Sequence, residues 1–331
     1  MRGSRVTTVH AMYDAEAEYA VGVDIGGTKI NAGLIHRSGE VAYTASAETQ
    51  ARQFGVIGRA QAVIETVLAE ATQAEPGLRL AGIGVGTAGQ VDVHAGRIRF
   101  ANGLMPGYGG TEVKRHLQEA FGLPVAVDND ANVLALTERA LGAGKGAKHL
   151  LCLTLGTGVG GAIMVDGRLV HGAWGGAGEL GHISVDWRGP RCVCGSIGCL
   201  EVFASGTGIA RRMRELLGES VDDQLDAKAV IARWQAGDAT ASQIMEETMT
   251  ALGSAIASLL HMFNPEVIVI GGGVAEAGDV LLDGIRTRVR ERAMPSLLEG
   301  VRIVPAYKGN WSGMIGAGLL VWERSTKGYY L

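Results

Sequence analysis

The organisation of this chain follows from a stretch near its start, Val21-Gly-Val-Asp-Ile-Gly-Gly-Thr-Lys-Ile-Asn-Ala-Gly-Leu-Ile35. It aligns without gaps with a later stretch, Leu151-Cys-Leu-Thr-Leu-Gly-Thr-Gly-Val-Gly-Gly-Ala-Ile-Met-Val165. In both copies an apolar strand runs into a turn rich in glycine and threonine and then into a second apolar strand, which is the pattern of a β-hairpin. The repeat predicts two related halves, each built around one hairpin.

Beyond the hairpins, helical and strand periodicities alternate along the chain, which is typical of an α/β fold. The first half is predicted to contain helices at 56–73, 111–121 and 131–141 and strands at 81–86 and 125–128. The second half is predicted to contain helices at 208–217, 227–235, 239–263 and 275–292 and strands at 266–270 and 302–305. Both halves are therefore expected to belong to the α/β class.

The composition indicates a globular protein with a small substrate. Of 331 residues, 51 are glycine, but only 7 are proline and 47% are hydrophobic, which excludes collagen and low-complexity disorder. The net charge of -4, without long runs of like charge, argues against a nucleic-acid or anionic-membrane partner. The longest uncharged apolar run, 150–165, is too short for a membrane span, and no targeting segment is visible. A cytoplasmic location is therefore expected.

The two hairpin tips are candidate phosphate-binding loops. Gly26-Gly27-Thr28-Lys29 and Gly156-Thr157-Gly158 both offer backbone N–H groups and hydroxyls, which can close on polyphosphate oxygens from opposite sides. The glycines at 156–161 also match the G-x-G-x-x-G dinucleotide fingerprint. That fingerprint needs a following helix, whereas here a second strand follows, so a dinucleotide site is not predicted. A pair of tight turns is the alternative.

Two further features complete the predicted nucleotide site. Asp24 stands just before the first tip, where a carboxylate would repel phosphate unless a cation lay between them. This arrangement predicts Mg²⁺, held through water. Gly271-Gly272-Gly273 lies between a strand and a helix, where it would let a nucleoside approach the backbone. A simple turn between strand and helix is the alternative for these three glycines.

A polar segment, Asp128-Asn129-Asp130-Ala131-Asn132, ends a predicted strand and opens a predicted helix. It places carboxylate and amide groups at the carboxyl edge of a sheet, where ligands of α/β proteins bind. One carboxylate near a substrate hydroxyl could act as general base during phosphoryl transfer. Helix capping by Asn129 or Asp130 is the structural alternative.

A metal site is predicted from His182, Cys192, Cys194 and Cys199. Thiolates with one imidazole make a tetrahedral zinc site, and because all four ligands come from the protein, the zinc should be structural. A disulfide is the weaker alternative in a cytosolic chain. Zinc would also gather Glu179, His182 and Glu201, and gathered carboxylates can accept hydrogen bonds from a polyhydroxylated ligand. Solvated loop carboxylates are the alternative for the two glutamates.

With these residues in place, the chain over roughly 19–322 resembles the ROK family of bacterial sugar kinases, repressors and uncharacterised proteins, and looks most like its glucokinase members. The motifs that carry the resemblance are Asp24-Ile-Gly-Gly-Thr-Lys29, Asp128-Asn-Asp-Ala-Asn132, the segment 155–161, Gly178-Glu-Leu-Gly-His182 and Cys192-Val-Cys-Gly-Ser-Ile-Gly-Cys-Leu-Glu201. The resemblance implies an actin-like (ribonuclease H-like) duplicated fold of two α/β domains around a central cleft.

The implied domains are a small one, 19–133 with 311–324, and a large one, 134–310, which carries the zinc loop. Residues 1–18 are expected to be a flexible tail.

The resemblance also implies residue roles. Asp130 would be the base that takes the proton of the sugar 6-hydroxyl as it attacks the γ-phosphorus of ATP. The other hydroxyls would be held by Asn129, Glu179, Glu201 and a zinc-bound His182. Asn102 is a further candidate for the sugar, although Asn102-Gly-Leu-Met-Pro-Gly-Tyr108 departs from the family pattern of Asn followed closely by Pro-Gly-Trp or Gly-Trp.

The implied function is that of a glucose 6-kinase of carbohydrate metabolism, in glycolysis, with ATP, Mg²⁺ and structural Zn²⁺, acting as a homodimer or homotetramer. An N-acetylmannosamine or N-acetylglucosamine kinase is the alternative, since these substrates differ from glucose or mannose by one acetamido group at C2. Some relatives use polyphosphate as donor. A sugar-responsive repressor is disfavoured because residues 1–18 are too few for a winged-helix module and the net charge is not basic.

Overall fold

The computed structural model describes residues 12–50, 55–101, 105–218, 225–307 and 311–325. Contacts divide the chain into two compact units. The first comprises Met1–Ala140, His171–Gly176 and Gly309–Leu331, and the second comprises Leu141–Val170 and Ala177–Lys308. No helix within the described ranges is both long and apolar enough to cross a bilayer.

The elements are numbered in chain order. The strands are β1 (Met12–Tyr13), β2 (Tyr19–Ile25), β3 (Lys29–His36), β4 (Val41–Glu48), β5 (Arg79–Leu80), β6 (Ile83–Thr87), β7 (Gln90–Asp92), β8 (Arg97–Phe100), β9 (Val125–Asn129), β10 (Leu150–Leu155), β11 (Val159–Val165), β12 (Arg168–Leu169), β13 (Val267–Gly271) and β14 (Arg302–Pro305). The helices are α1 (Val56–Ala74), α2 (Val113–Phe121), α3 (Asp130–Ala140), α4 (Leu200–Ala204), α5 (Gly206–Leu217), α6 (Ala227–Gln235), α7 (Ala239–Phe263), α8 (Asp279–Arg290), α9 (Pro295–Leu298) and α10 (Ser312–Ser325).

Each unit is built on a five-stranded sheet of the same design. The order is β4-β3-β2-β6-β9 in the first unit and β12-β11-β10-β13-β14 in the second. In both, an antiparallel hairpin and a third antiparallel strand are joined to two parallel strands. The two stretches aligned by sequence form the central hairpins, β2–β3 and β10–β11. The predicted duplicated, actin-like α/β fold is therefore confirmed.

Glycines in the strands of the first sheet let a helix lie directly on it. A Cβ atom at Gly22 would come within 2.1 Å of the carbonyl oxygen of Met314, and one at Gly84 within 1.7 Å of that of Ala317. Both carbonyls belong to α10, so any larger residue in these strands would push the helix away. Part of the high glycine content thus serves helix–sheet packing and not ligand binding.

Capping residues explain why several helix boundaries agree with the sequence prediction. The carboxylates of Asp226 and Asp238 accept hydrogen bonds from Ala229 N and Ala241 N, at 2.8 and 2.9 Å, and so start α6 and α7 where predicted. The prediction of one helix over 275–292 is wrong. Gly278, with φ +80, interrupts it, so a 3-10 turn at Gly273–Ala277 precedes α8.

The limits of the first unit differ from the predicted domain limits. A boundary at residue 133 would cut α3, which is one continuous helix to Ala140. Of the predicted tail, residues 12–18 make contacts with the first unit, and residues 1–11 lie outside the described residues. Met12 and Tyr13 pair with β5, and Asp14 accepts a 3.0 Å hydrogen bond from Arg79. These contacts hold the segment against the first unit.

Candidate functional site

A buried carboxylate lies at the junction of β9 and α3. Asp128 is fully buried, and its Oδ1 accepts hydrogen bonds from Asn129 N and Asn132 Nδ2, both at 2.8 Å. Its Oδ2 lies 2.7 Å from His171 Nε2. The junction forms as predicted, because the strand ends at Asn129 and the helix starts at Asp130. Polar groups are thereby concentrated at the carboxyl edge of the first sheet.

The two following residues differ in exposure. Asn129 is partly buried and fixed at both ends of its amide, because Oδ1 accepts from Ala131 N at 2.9 Å and Nδ2 donates to Gly89 O at 3.0 Å. Asp130 is exposed, and its Oδ1 accepts from Ala131 N at 2.9 Å. The capping interaction considered from sequence is thus present at Asn129, the residue before α3, and not at Asp130. Asp130 remains accessible to a ligand.

Asp24 lies at the end of β2, partly buried, opposite Asn31 on β3. Burial raises the pKa of Asp24 to about 6, while a hydrogen bond from Asn31 works in the opposite direction. The first turn of α10 approaches this carboxylate so closely that a Cβ at Gly313 would come within 2.8 Å of Oδ2. A nearby cation would stabilise the charged form of such a buried carboxylate.

The first hairpin tip is held from the side by Thr49. Its hydroxyl donates to Gly26 O at 2.7 Å and its N–H donates to Thr28 O at 2.9 Å, while Gly26 N donates to Lys29 O at 2.9 Å. Within the described part of the chain, the N–H groups of Gly27 and Thr28 have no hydrogen-bond partner. The tip therefore has the donors expected of a phosphate-binding turn.

The second hairpin tip is tied to the segment that follows the cysteines. Gly156 N donates to Gly158 O at 2.9 Å, and Gly206 N donates to Gly156 O at 2.8 Å. Val159 N donates to Oε2 of Glu201 at 3.0 Å. A Cβ atom at Gly158 would come within 2.5 Å of the same carboxylate oxygen. Glu201 thus requires a glycine at position 158 in order to reach the hairpin.

A cavity of about 820 Å³ opens beside this second tip. It is lined by Gly156, Thr157, Gly206, Thr207, Ala210, Arg214, Leu225, Asp226, Ala227, Lys228, Ile231, Ala232, Gln235, Gly273, Val274, Glu276 and Ala277. Its size and its mixture of apolar and polar side chains are typical of a small-molecule site. Residues of α5 and α6 were not among the predicted site residues, because their helical pattern is also that of ordinary packing.

Only one member of the predicted Gly271-Gly272-Gly273 cluster lines the cavity. Gly273 does so. Gly272 instead has φ +89, and a Cβ there would come within 2.5 Å of Leu155 O; one at Gly271 would come within 2.9 Å of the Ala306 side chain. These two glycines serve the packing of β13 against its neighbours.

The four predicted metal ligands come together. One ligand atom from each of His182, Cys192, Cys194 and Cys199 lies within 4.8 Å of all the others. The Sγ atom of Cys192 is 3.7 Å from Nδ1 of His182, and the Sγ atoms of Cys194 and Cys199 are 3.6 Å apart. Ligands of a tetrahedral zinc ion lie about 3.5–3.8 Å from each other, given Zn–S of about 2.3 Å and Zn–N of about 2.0 Å. The residues fit zinc.

The electrostatics of the cluster also favour a cation. Burial, together with the neighbouring thiols, raises the pKa of the Cys199 thiol to about 12. Three cysteines placed this closely cannot be thiolates together unless a positive charge compensates them. The backbone segments on either side of the cluster are paired with each other. Ser184 and Cys199 form an isolated antiparallel β-bridge, and Leu200 N donates to Ile183 O at 2.8 Å.

Two glutamates lie beside the metal cluster. Glu179 is exposed, and its Oε2 is 4.0 Å from Nε2 of His182. Glu201 is partly buried, and its Oε1 is 3.9 Å from Sγ of Cys192. The structure thus gathers Glu179, His182 and Glu201 in the second unit, whereas Asp24, Asn129 and Asp130 belong to the first.

Two outcomes concern residues near the predicted sugar motif. Asn102 lies outside the described residues. Tyr108, where the family pattern has tryptophan, is buried in the core of the first unit, and its hydroxyl is 3.1 Å from Thr87 Oγ1. His171 was missed by sequence reasoning, because a single histidine in a loop carries no motif, and its partner Asp128 is 43 residues away in the chain.

Comparison with known proteins identifies the family, because the ROK family profile matches residues 20–324. The chain belongs to the ROK family. It is 41% identical over 318 residues to the glucokinase of Halalkalibacterium halodurans, covering 91% of this chain and 94% of that one. These findings confirm the predicted family and the predicted enzyme class, a hexokinase-type sugar kinase.

Solved structures of the ROK family agree with the fold. The ROK hexokinase from Thermus thermophilus superimposes with a TM-score of 0.83 at 34% identity, covering 94% of this chain and all of that one (100%). The ROK family glucokinase from Streptomyces griseus, in complex with glucose and AMPPNP, gives a TM-score of 0.74 at 32% identity, covering 91% and 98%. The two-domain ROK kinase fold therefore extends over nearly all of this chain.

Proposed function

We propose that this ROK family member transfers the γ-phosphoryl group of ATP to the 6-hydroxyl of a hexose, with glucose as the preferred substrate. The assignment rests on Asp130, an exposed carboxylate at the first position of α3, at the carboxyl edge of the first sheet. The relative from Streptomyces griseus binds glucose and AMPPNP, an ATP analogue, and supports the choice of both substrates.

Asp130 is the proposed general base. Its carboxylate accepts the proton of the 6-hydroxyl as the hydroxyl oxygen forms a bond to the γ-phosphorus, and the bond from that phosphorus to ADP breaks. The hydrogen bond from Ala131 N fixes one carboxylate oxygen. A positioned base of this kind contributes about 10²- to 10⁴-fold to the rate.

Recognition of the remaining hydroxyls is assigned to Asn129, Glu179, His182 and Glu201. The Nδ1 atom of His182 faces Cys192, and Nε2 lies on the side of Glu179. The ring can therefore bind zinc through Nδ1 and meet a hydroxyl through Nε2. Asn129 keeps a second amide hydrogen beyond the one that it gives to Gly89.

The nucleotide is assigned to the two hairpin tips and the cavity. The cavity next to Gly156, Thr157 and Gly273 is large enough for a nucleoside. The N–H groups of each tip are candidate donors to phosphate, and Asp24 would hold Mg²⁺ through water, where the ion neutralises phosphate charge. The proposed zinc in the second unit has only protein ligands, so its role is structural.

The proposal is tested by a coupled kinase assay with glucose, mannose, N-acetylglucosamine and N-acetylmannosamine, with ATP or polyphosphate as donor. Glucose with ATP should give the highest kcat/KM. A clear preference for N-acetylmannosamine or N-acetylglucosamine would replace glucose by the alternative, and absence of turnover on every sugar would overturn the kinase assignment. Sedimentation of the same preparation tests the predicted homodimer or homotetramer.

The base is tested by Asp130→Asn, with Asp279→Asn as matched control. Asp279 is also an exposed carboxylate in the first turn of a helix, α8, but is outside the proposed site. Asp130→Asn should keep its fold and hexose affinity and lose at least 100-fold in kcat, whereas Asp279→Asn should retain wild-type kcat. If Asp130→Asn kept a tenth of the wild-type activity, Asp130 would not be the base.

A further inference from the structure

The contact between His171 and Asp128 involves neither the proposed base nor the groups assigned to the substrates. Asp128 is fully buried and lies two residues before the proposed base, while His171 is 15% exposed. The Nε2–Oδ2 distance of 2.7 Å is that of a charge-assisted hydrogen bond. A buried carboxylate is costly unless donors surround it, so the geometry of Asp128 depends on the groups that donate to it.

Asp128 connects the junction of β9 and α3 to His171. Its Oδ1 receives the N–H of Asn129 and the amide of Asn132, which lies in the first turn of α3. Its Oδ2 faces His171. The direction in which α3 leaves β9 is therefore fixed on one side by the carboxylate of Asp128, and that direction also sets the position of Asp130 at the start of the helix.

His171 is itself held in place by the segment that follows it, residues 171–176, here called the histidine strap. Trp174 O accepts a hydrogen bond from Val93 N at 2.9 Å, and the Arg99 guanidinium lies 4.5 Å from the centre of the Trp174 ring. A Cβ at Gly175 would come within 2.3 Å of Val91 O, so the strap lies directly on β7. The backbone that carries the His171 imidazole is thus held against β7.

We propose that His171 is a positioning residue for the phosphoryl transfer: it orients Asp128, and Asp128 orients the first turn of α3 that carries Asp130. The inference rests on the proposed role of Asp130 as base. It assigns His171 no contact with sugar or nucleotide. Loss of the imidazole should therefore change the rate of the chemical step and leave substrate binding nearly intact.

The test compares His171→Ala with His171→Gln. Glutamine places an N–H donor at about the reach of Nε2, whereas alanine removes the donor. His171→Ala should lower kcat by about 10- to 100-fold, because a displacement of about 1 Å at a reacting group costs up to about 100-fold. The KM values for hexose and ATP, and the hexose Kd from calorimetry, should change less than about threefold. His171→Gln should recover at least a third of the wild-type kcat.

Arg139→Ala is the matched control. Arg139 ends the same helix and pairs with Glu323 at 2.9 Å, so its removal also breaks a partly buried ion pair on α3, but at the end far from Asp130. This variant should lower the melting temperature without lowering kcat. A role of His171 in stability alone would instead give the same kinetic result for both variants.

Several outcomes overturn the inference. Wild-type kcat in His171→Ala does so, and so does a loss that appears mainly as weaker hexose binding. If His171→Ala fails to fold, the glutamine variant tests the inference. A folded His171→Gln with kcat as low as 1% of wild type refutes positioning through the donor. Failure of both variants to fold refutes it as well. Turnover by the wild type separates this inference from the proposed function. An inactive wild type overturns both, whereas an active wild type together with wild-type kcat in His171→Ala overturns only the inference.

Discussion

Asp24→Asn should make the protein more stable at pH 8 and inactive as a kinase. Burial raises the pKa of Asp24 from 3.8 to about 6 in the folded protein. At about 1.36 kcal/mol per tenfold change in the acid dissociation constant, this difference in pKa corresponds to about 3 kcal/mol by which the fold disfavours the charged form. Asparagine has nearly the same shape and no charge, so it avoids this cost.

The sign of the pH dependence follows from proton binding. Between pH 4 and pH 6 the folded state holds a proton on Asp24 that the unfolded state has lost, so stability falls as pH rises through this window and is level above it. Asp24→Asn should therefore exceed the wild type by up to about 3 kcal/mol in the free energy of unfolding at pH 8, and by almost nothing at pH 4.

Urea unfolding at pH 4.5, 6 and 8, without nucleotide or Mg²⁺, measures this difference. Asp14→Asn is the control with the opposite sign, because hydrogen bonds from Glu16 N and Arg79 lower the pKa of Asp14. That variant should lose stability at pH 8, or remain neutral, since the residue is only partly buried and solvent weakens its interactions. The coupled assay should show kcat/KM for ATP reduced at least about 100-fold in Asp24→Asn, since the proposed Mg²⁺ site is removed.

Lower stability of Asp24→Asn than of the wild type at pH 8 would refute a burial cost at Asp24, because the carboxylate would then be favoured by its surroundings and not penalised. A variant that is more stable but keeps wild-type kcat/KM for ATP refutes the role in Mg²⁺ binding alone. Addition of Mg²⁺ and ATP should raise the melting temperature of the wild type more than that of the variant.

Two further changes test the second unit. Treatment with a chelator, or the substitution Cys199→Ser, should leave no metal detectable by elemental analysis and should lower both thermal stability and hexose affinity. The control Cys152→Ala should keep one zinc per chain. A metal-free protein with unchanged stability and affinity would contradict a structural zinc. Gly158→Ala should raise KM for ATP by about tenfold or more, because its Cβ would meet Glu201 at 2.5 Å. Gly58→Ala, at an open helical position, should change nothing or stabilise slightly, and equal KM values in the two variants would refute the tight approach.

The duplication was predictable because the two stretches share the same order of apolar strand, glycine-rich turn and apolar strand, which is the pattern of a β-hairpin. The metal cluster was predictable for a similar reason, since three clustered cysteines with one histidine are a typical ligand set of a structural zinc site. Capping aspartates such as Asp226 and Asp238 fixed helix starts locally, so these too could be predicted from sequence. Each of these features depends on short-range patterns.

Features that depend on long-range packing could not be predicted. The pairing of Asp128 with His171 joins residues 43 positions apart, and neither neighbourhood carries a signal for the other. The predicted role of Gly271 and Gly272 beside a nucleoside stays a prediction, and close contacts with Leu155 and Ala306 also require glycine at these positions. The sequence pattern of a glycine cluster is the same whether a ligand or another strand lies against it, so only the fold distinguishes the two.

The two hairpins have diverged in the source of their negative charge. In the alignment Thr154 stands where Asp24 stands, so β10 has no carboxylate at the foot of its tip. Glu201 supplies one from outside the hairpin and binds Val159 N just after the tip. Glu201 lies in α4, which starts at the residue after Cys199. The position of Cys199 in the metal cluster therefore sets where the backbone of Glu201 lies. A zinc ion bound by the cluster would therefore stabilise the second hairpin as well as the loop of Glu179 and His182. In the proposed kinase, loss of this ion should weaken ATP and hexose binding together.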